Sequence, residues 1–148
     1  MTRNELISTL QDLIETSKDG ERGFSTCAEN VDAPELKSVF LEAAIRCQKA
    51  ASDLQDIVRR LGGNPDESSS LASSAHRAWI DIKSAITGKD EDSILAEIER
   101  GEQFAEQSYR NALVEDLPDE IRTIIEAQYQ GLQGNLNRIR ALRARYAR

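Results

Sequence analysis

Residues 94–113 read ILAEIERGEQFAEQSYRNAL. Placed at about 100° per residue, Ile94, Leu95, Ile98, Ala105, Tyr109 and Ala112 share one apolar face. Their alternating spacing of four and three marks a helix packed along a seam. Glu102 falls inside that face, while Glu99 and Glu106 lie on its flank. A lone carboxylate is expensive to bury, so Glu102 must be protonated, paired or metal-bound.

The same spacing recurs on both sides. After this stretch, Asp116 and Pro118 open a last helix whose seam is Ile121, Ile125, Gln128, Leu132, Asn135, Ile139, Leu142 and Tyr146. Before it, Asp90-Glu91-Asp92 sets three acids at the positive end of the helix dipole. A shorter helix is expected over Ser69–Thr87, with Leu71, Ala75, Ala78, Ile82 and Ala85 on a stripe that Trp79 and Ile86 widen, and Gly88 ending it. At the start of the chain, Thr2 and Glu5 form a capping box. The seam that follows is Leu6, Leu10, Leu13, Ser17, Gly20, Phe24, Cys27 and Val31. It runs straight through Gly20, so Gly20 and Gly23 read as interior helix glycines that admit a neighbouring backbone or a bulky side chain. A second helix opens with Asp32 as cap, Pro34 in the first turn and Glu35. Its seam is Leu36, Phe40, Ala43, Cys47, Ala50, Leu54, Ile57 and Leu61, and Gly62-Gly63 ends it as a left-handed cap before Pro65. Short links make the first two helices and the last two antiparallel hairpins. The expected fold is all-α: two long hairpins joined by a crossover that contains the short helix, which is the ferritin-like four-helix arrangement.

At 148 residues the chain suits one domain, 1–148, able to bury a core without staples. A formal charge of −7 disfavours nonspecific contact with nucleic acid or anionic lipid. No apolar run approaches the roughly 20 residues that span a bilayer. MTRNELISTL reads as a helix start and not as a secretory signal, which makes cytoplasmic the default expectation. Cys27 and Cys47 both sit on seams, where buried free thiols are expected, with a cross-helix pair as the alternative.

The candidate polar cluster is Glu21, His76, Glu99 and Glu102. A carboxylate-bridged di-iron or di-manganese centre needs a glutamate on each of two helices and a Glu-x-x-His pair on each of the other two. The one histidine is His76, and Ser73 stands three residues before it where the motif needs a glutamate. Gln128 and Asn135 on the last seam are neutral amides. The competing expectation is a hydrogen-bonded layer of Glu102, Gln128 and Asn135, neutralised by Arg46, Arg100 or Arg122. No phosphate-cradling loop, Cys-x-x-Cys pair or nucleophile elbow is present, so no catalytic residue is assigned. The tail RIRALRARYAR carries five arginines, Arg138 to Arg148, suited to the negative end of a helix or to an acidic partner.

Four motifs in order carry a resemblance. They are Lys18-Asp19-Gly20-Glu21-Arg22-Gly23-Phe24, Leu61-Gly62-Gly63, His76-Arg77-Ala78-Trp79 with Lys83, and Glu97-Ile98-Glu99-Arg100-Gly101-Glu102. Together they resemble a group of uncharacterised bacterial proteins classed as a ferritin-like four-helix-bundle domain of unknown function. The likeness spans nearly the whole chain and implies a ferritin-like bundle, but supplies no activity. Members often place a histidine in the last helix, in an Asn-His-x-x-Ile/Val context. Here Asn135-Leu136-Asn137-Arg138-Ile139 has leucine at that place.

The expected function is therefore a non-enzymatic or catalytically reduced interaction or stress-associated module that self-associates, with a dimer favoured and a further protein partner open. The alternative is an iron- or manganese-binding oxidoreductase or iron-handling protein using Glu21, Glu99 and Glu102. A third reading is a helical adaptor whose tail, Leu142 to Arg148, binds a partner.

Overall fold

The computed structural model describes residues 1–69, 72–79, 82–88 and 90–146. Among them lie six helices and no strand: α1 (Arg3–Asn30), α2 (Pro34–Arg60), α3 (Ala72–Ala78), α4 (Ile82–Gly88), α5 (Glu91–Leu113) and α6 (Asp119–Tyr146). Leu71 of the expected third stripe, the side chain of Lys83 and Arg148 of the tail lie outside the described residues.

The caps explain where the long helices begin and end. Thr2 Oγ1 accepts from the Glu5 N–H at 3.1 Å and Glu5 Oε1 accepts from the Thr2 N–H at 3.1 Å, the reciprocal pair that the sequence predicts. At the start of α2 the cap is Ala33 and not Asp32, and no side chain bonds the first turn. Pro34, the first helical residue, removes one of the four N–H groups that a helix start leaves unpaired and already has a helical φ, which favours a start there without a side-chain cap. Gly62 closes α2 with φ 84°, the left-handed conformation that a side chain disfavours.

α1 packs along α2 and, on another face, along α5, which also packs along α6. α3 and α4 both touch α1 and α5, so the segment between the hairpins lies over the α1–α5 seam. It runs in the direction of α1, because Asp12 accepts from Ser69, Asp19 meets His76 and Gly23 meets Trp79. The α2–α6 seam has no such cover and its helices barely approach each other.

The single third helix expected over Ser69–Thr87 is corrected here to two short ones, separated at Trp79. The Trp79 N–H donates to the His76 carbonyl at 3.1 Å and the Ile82 N–H to the Trp79 carbonyl at 3.2 Å, both tight three-residue turns. The indole is the cause. It is lodged between α1 and α5 at Gly23 and Gly101, where a methyl group would come within 2.4 Å of the ring on either side. Phe24 meets it edge-on, with ring centroids 5.4 Å apart. Gly23 therefore admits a bulky side chain, as expected of an interior helix glycine.

The core divides into two apolar clusters. One gathers Phe24, Val31, Leu36, Phe40, Trp79, Ile94, Ile98, Ile139 and Leu142. The other gathers Leu6, Leu10, Leu13, Leu54, Tyr109, Leu117, Ile125 and Leu132. Leu136, which the seam of the last helix omits, is buried at 1% exposure. Cys27 and Cys47 are free and buried. No helix among the described residues is long and apolar enough to cross a membrane.

Gly101→Ala should destabilise the fold by about 2 kcal/mol, because overpacking against a pinned ring outweighs the gain in helix propensity. Gly134→Ala, whose new methyl would meet nothing within 4 Å, should instead stabilise it by up to about 1 kcal/mol. Urea titrations followed by the fluorescence of Trp79, the one tryptophan, read both signs.

Candidate functional site

Between the two apolar clusters lies a polar layer. α5 supplies Glu102, buried to 1% exposure on the apolar face where the sequence places it. Its Oε2 accepts from Arg46 of α2 at 3.2 Å and from the Asn135 amide of α6 at 3.0 Å. Tyr109, two turns on, donates its hydroxyl to Gln128 Oε1 at 2.7 Å, and the Gln128 amide reaches the Ala50 carbonyl at 3.4 Å. Ser17, Gly20, Cys47 and Trp79 complete the walls of a small internal cavity beside Glu102. Burial pushes the Glu102 carboxyl above its ordinary range, and Arg46 and Asn135 pull it part of the way back. Burial likewise pushes both thiols up to about 12, so neither is a thiolate nucleophile at neutral pH.

The expected layer is present in part: Glu102 and Asn135 are bonded, with Arg46 as the cation, while Gln128 pairs instead with Tyr109 and the Ala50 carbonyl at the next level. Arg100 pairs with Glu97 at 2.8 Å, and Arg122 donates to the Leu113 and Glu115 carbonyls at the α5–α6 turn. Glu102 takes Arg46. Glu99 takes Arg140 and Arg143 of α6, at 3.2 and 3.1 Å. Glu21 lies half-buried on α1, close enough to Cys47 for its charge to act on the thiol.

His76 stands apart from these glutamates. Its Nδ1 lies 2.9 Å from Asp19 Oδ1, a residue that the sequence reading did not single out. Arg22 approaches the same oxygen at 2.8 Å. Asp19 is 5% exposed, and burial raises its carboxyl above the ordinary value while His76 and Arg22 oppose that rise. One signal pointed to it: Asp12 and Asp19 are seven residues apart on α1, as are their partners Ser69 and His76. Two segments that run side by side in the same direction pair at such matched intervals.

A carboxylate-bridged metal pair needs several converging carboxylate or imidazole donors. Among the described residues, no three His, Cys, Asp or Glu side chains form a group able to hold an ion. Against Glu102 stand the Arg46 guanidinium and the Asn135 amide, and Leu136 is buried, apolar and without a donor atom. This donor set does not fit such a centre.

The four tail arginines among the described residues are taken up by the fold. Arg138 pairs with Glu42 at 2.9 Å, and Arg145 grips both oxygens of Glu35. They tie α6 to α2 and α5, which is where the cations expected at a helix C-terminus are spent.

The raised Glu102 carboxyl has a defined sign in stability. Below its ordinary value of 4.5 the folded and unfolded chains both carry the proton. As pH rises from there through the folded value, the unfolded chain releases it first, and the contribution of this group to stability falls. Glu102→Gln has no such loss. Its stability relative to the parent should rise across that window and then level off, as paired urea midpoints would show. Arg46→Met should cost about 2–3 kcal/mol at neutral pH, since it leaves a buried carboxylate without its cation.

No curated protein matches the chain. The family model described as Domain of unknown function (DUF2383) matches residues 5–115, which take in α2 to α5 with nearly all of α1 and stop before α6, and the chain belongs to that family.

Proposed function

We propose that this protein is a cytoplasmic, ferritin-like helical bundle that works by association, as a dimer whose copies meet along the α2–α6 seam. Two aligned hairpins with a long connection between them support the ferritin-like reading. The acids that would ligate metal in such a bundle are held by the chain's own arginines and amides.

The observation that carries the reading is the open seam. α2 and α6 run antiparallel, with Glu35 on Arg145 and Glu42 on Arg138, one heptad apart on each helix. One heptad further, Lys49 reaches the level of Gly131 and the pairing stops. From there Arg46, Ala50, Asp53, Ile124, Ala127, Gln128 and Gly131 line a groove of about 340 Å³. A methyl on Gly131 would meet only Arg46, at an ordinary 3.5 Å, and one on Gly134 would meet nothing within 4 Å. Each of these glycines costs its helix about 1 kcal/mol, and nothing in their own chain requires either. Small residues facing outward along an open seam suit the close approach of a second helix. A two-fold copy presents the acids of α2 and the arginines of α6 to their complements.

Light scattering of the eluting protein should give a dimer mass for the parent. Gly134→Leu, whose Cβ meets nothing within 4 Å of its own chain and whose branch projects into the seam, should give a folded monomer of unchanged helicity. A monomeric parent, or a dimeric Gly134→Leu, would sink the reading. So would near-stoichiometric iron or manganese in protein purified without chelator and lost in Glu102→Ala. That result would transfer the function to metal handling.

A further inference from the structure

We propose that His76 is a phosphoryl-accepting residue, taking the group on Nε2 from a donor that carries it on nitrogen, of the phosphoramidate class. The geometry fixes the ring. Asp19 Oδ1 can only accept, so at 2.9 Å the Nδ1 must carry a hydrogen. In the neutral imidazole that leaves the lone pair on Nε2. The carboxylate side is buried, at 5%, while the His76 side chain is 59% exposed, so the free nitrogen faces solvent. A histidine oriented on one nitrogen by a buried acid and open on the other is arranged as a nucleophile.

The surroundings select the electrophile. Arg22 shares the Asp19 oxygen with His76, and Arg77 follows in the chain with its guanidinium exposed, donating to Ser74 at 3.2 Å. Lys18 and Arg22 line a surface groove of α1 with Ser25 and Thr26, where Glu21 is the one acid, and Arg22 is the residue that joins this groove to the Asp19–His76 pair. Guanidinium groups repel a metal ion and bind the oxygens of a phosphoryl group.

The step balances without a further reactant. The Nε2 lone pair forms the new N–P bond as the donor N–P bond breaks, and the departing nitrogen keeps the electron pair and takes a proton from water. His76 retains its Nδ1 hydrogen, and the positive charge that develops on the ring faces the Asp19 carboxylate.

The test uses potassium phosphoramidate on the full-length chain, with phosphohistidine followed by intact mass and its isomer assigned by phosphorus NMR. The native protein should react at Nε2 alone, about tenfold or more faster than the same chain in urea. The unfolded chain should give both isomers. Asp19→Asn, which keeps an acceptor for Nδ1 but removes the charge, should lose most of the rate advantage while retaining the Nε2 isomer. If Asp19→Asn does not fold, Arg22→Gln at an exposed position carries the comparison and should slow the reaction. Equal rates for native and unfolded chains, or mixed isomers in the native protein, would reduce Asp19 and His76 to a tether for α3 and overturn the proposal.

Discussion

The indole of Trp79 between two helix glycines is the contact on which the arrangement of the long helices depends. Gly23 and Gly101 each weaken their helix by about 1 kcal/mol relative to alanine. A buried tryptophan removes roughly 200 Å² from water, worth about 5 kcal/mol at the usual coefficient. The exchange favours the glycines only while the ring stays seated, at 9% exposure. Its seat links α1 and α5 through a residue of neither hairpin. The segment that delivers the ring must turn at Trp79, which is why the crossing segment is two short helices. The ring also forms one wall of the cavity that Glu102 and Arg46 share.

That polar layer has a cost and a use. Glu102 loses hydration on burial, and Arg46 and Asn135 restore only part of it, as the raised carboxyl indicates. An apolar residue at this position would pack more cheaply but would let α2, α5 and α6 slide in register. One carboxylate oxygen that accepts from two different helices fixes all three at one level. Tyr109 and Gln128 do the same one level along, against the Ala50 carbonyl.

Much of this was legible in the sequence because it is local or periodic. The Thr2–Glu5 box, the Gly62 cap and the buried Glu102 follow from residues within a turn or two of one another. The accommodation at Gly23 was legible in kind, since a small residue on a seam implies a near neighbour. Its occupant was not, because Trp79 arrives from 56 positions away. Asp19 was missed for the same reason. On a helical wheel it is an ordinary acid beside a glycine, and only the path of the crossing segment brings His76 over it. The tail arginines read as cations for a helix end or an acidic partner, because their acids, Glu35, Glu42 and Glu99, belong to other helices. Pairings set by topology stay silent in a single chain until the helices are placed.

The two outer seams then differ in kind. Over α1 and α5 the crossing segment is held by the Trp79 ring, by Asp19 on His76 and by Asp12 on Ser69, so the histidine is placed by contacts to a buried helix face. Along α2 and α6, beyond the levels of Glu102 and Gln128, the ties are ion pairs at partly exposed groups, each worth about 0–1 kcal/mol and weakened by salt. A face held by such contacts can exchange them for equivalent ones on another copy at little net cost. Burying Ile124, Ala127 and the bare backbone at Gly131 would then add apolar area that the isolated chain leaves in water. The covered seam suits a reaction at one side chain, and the open seam suits a partner.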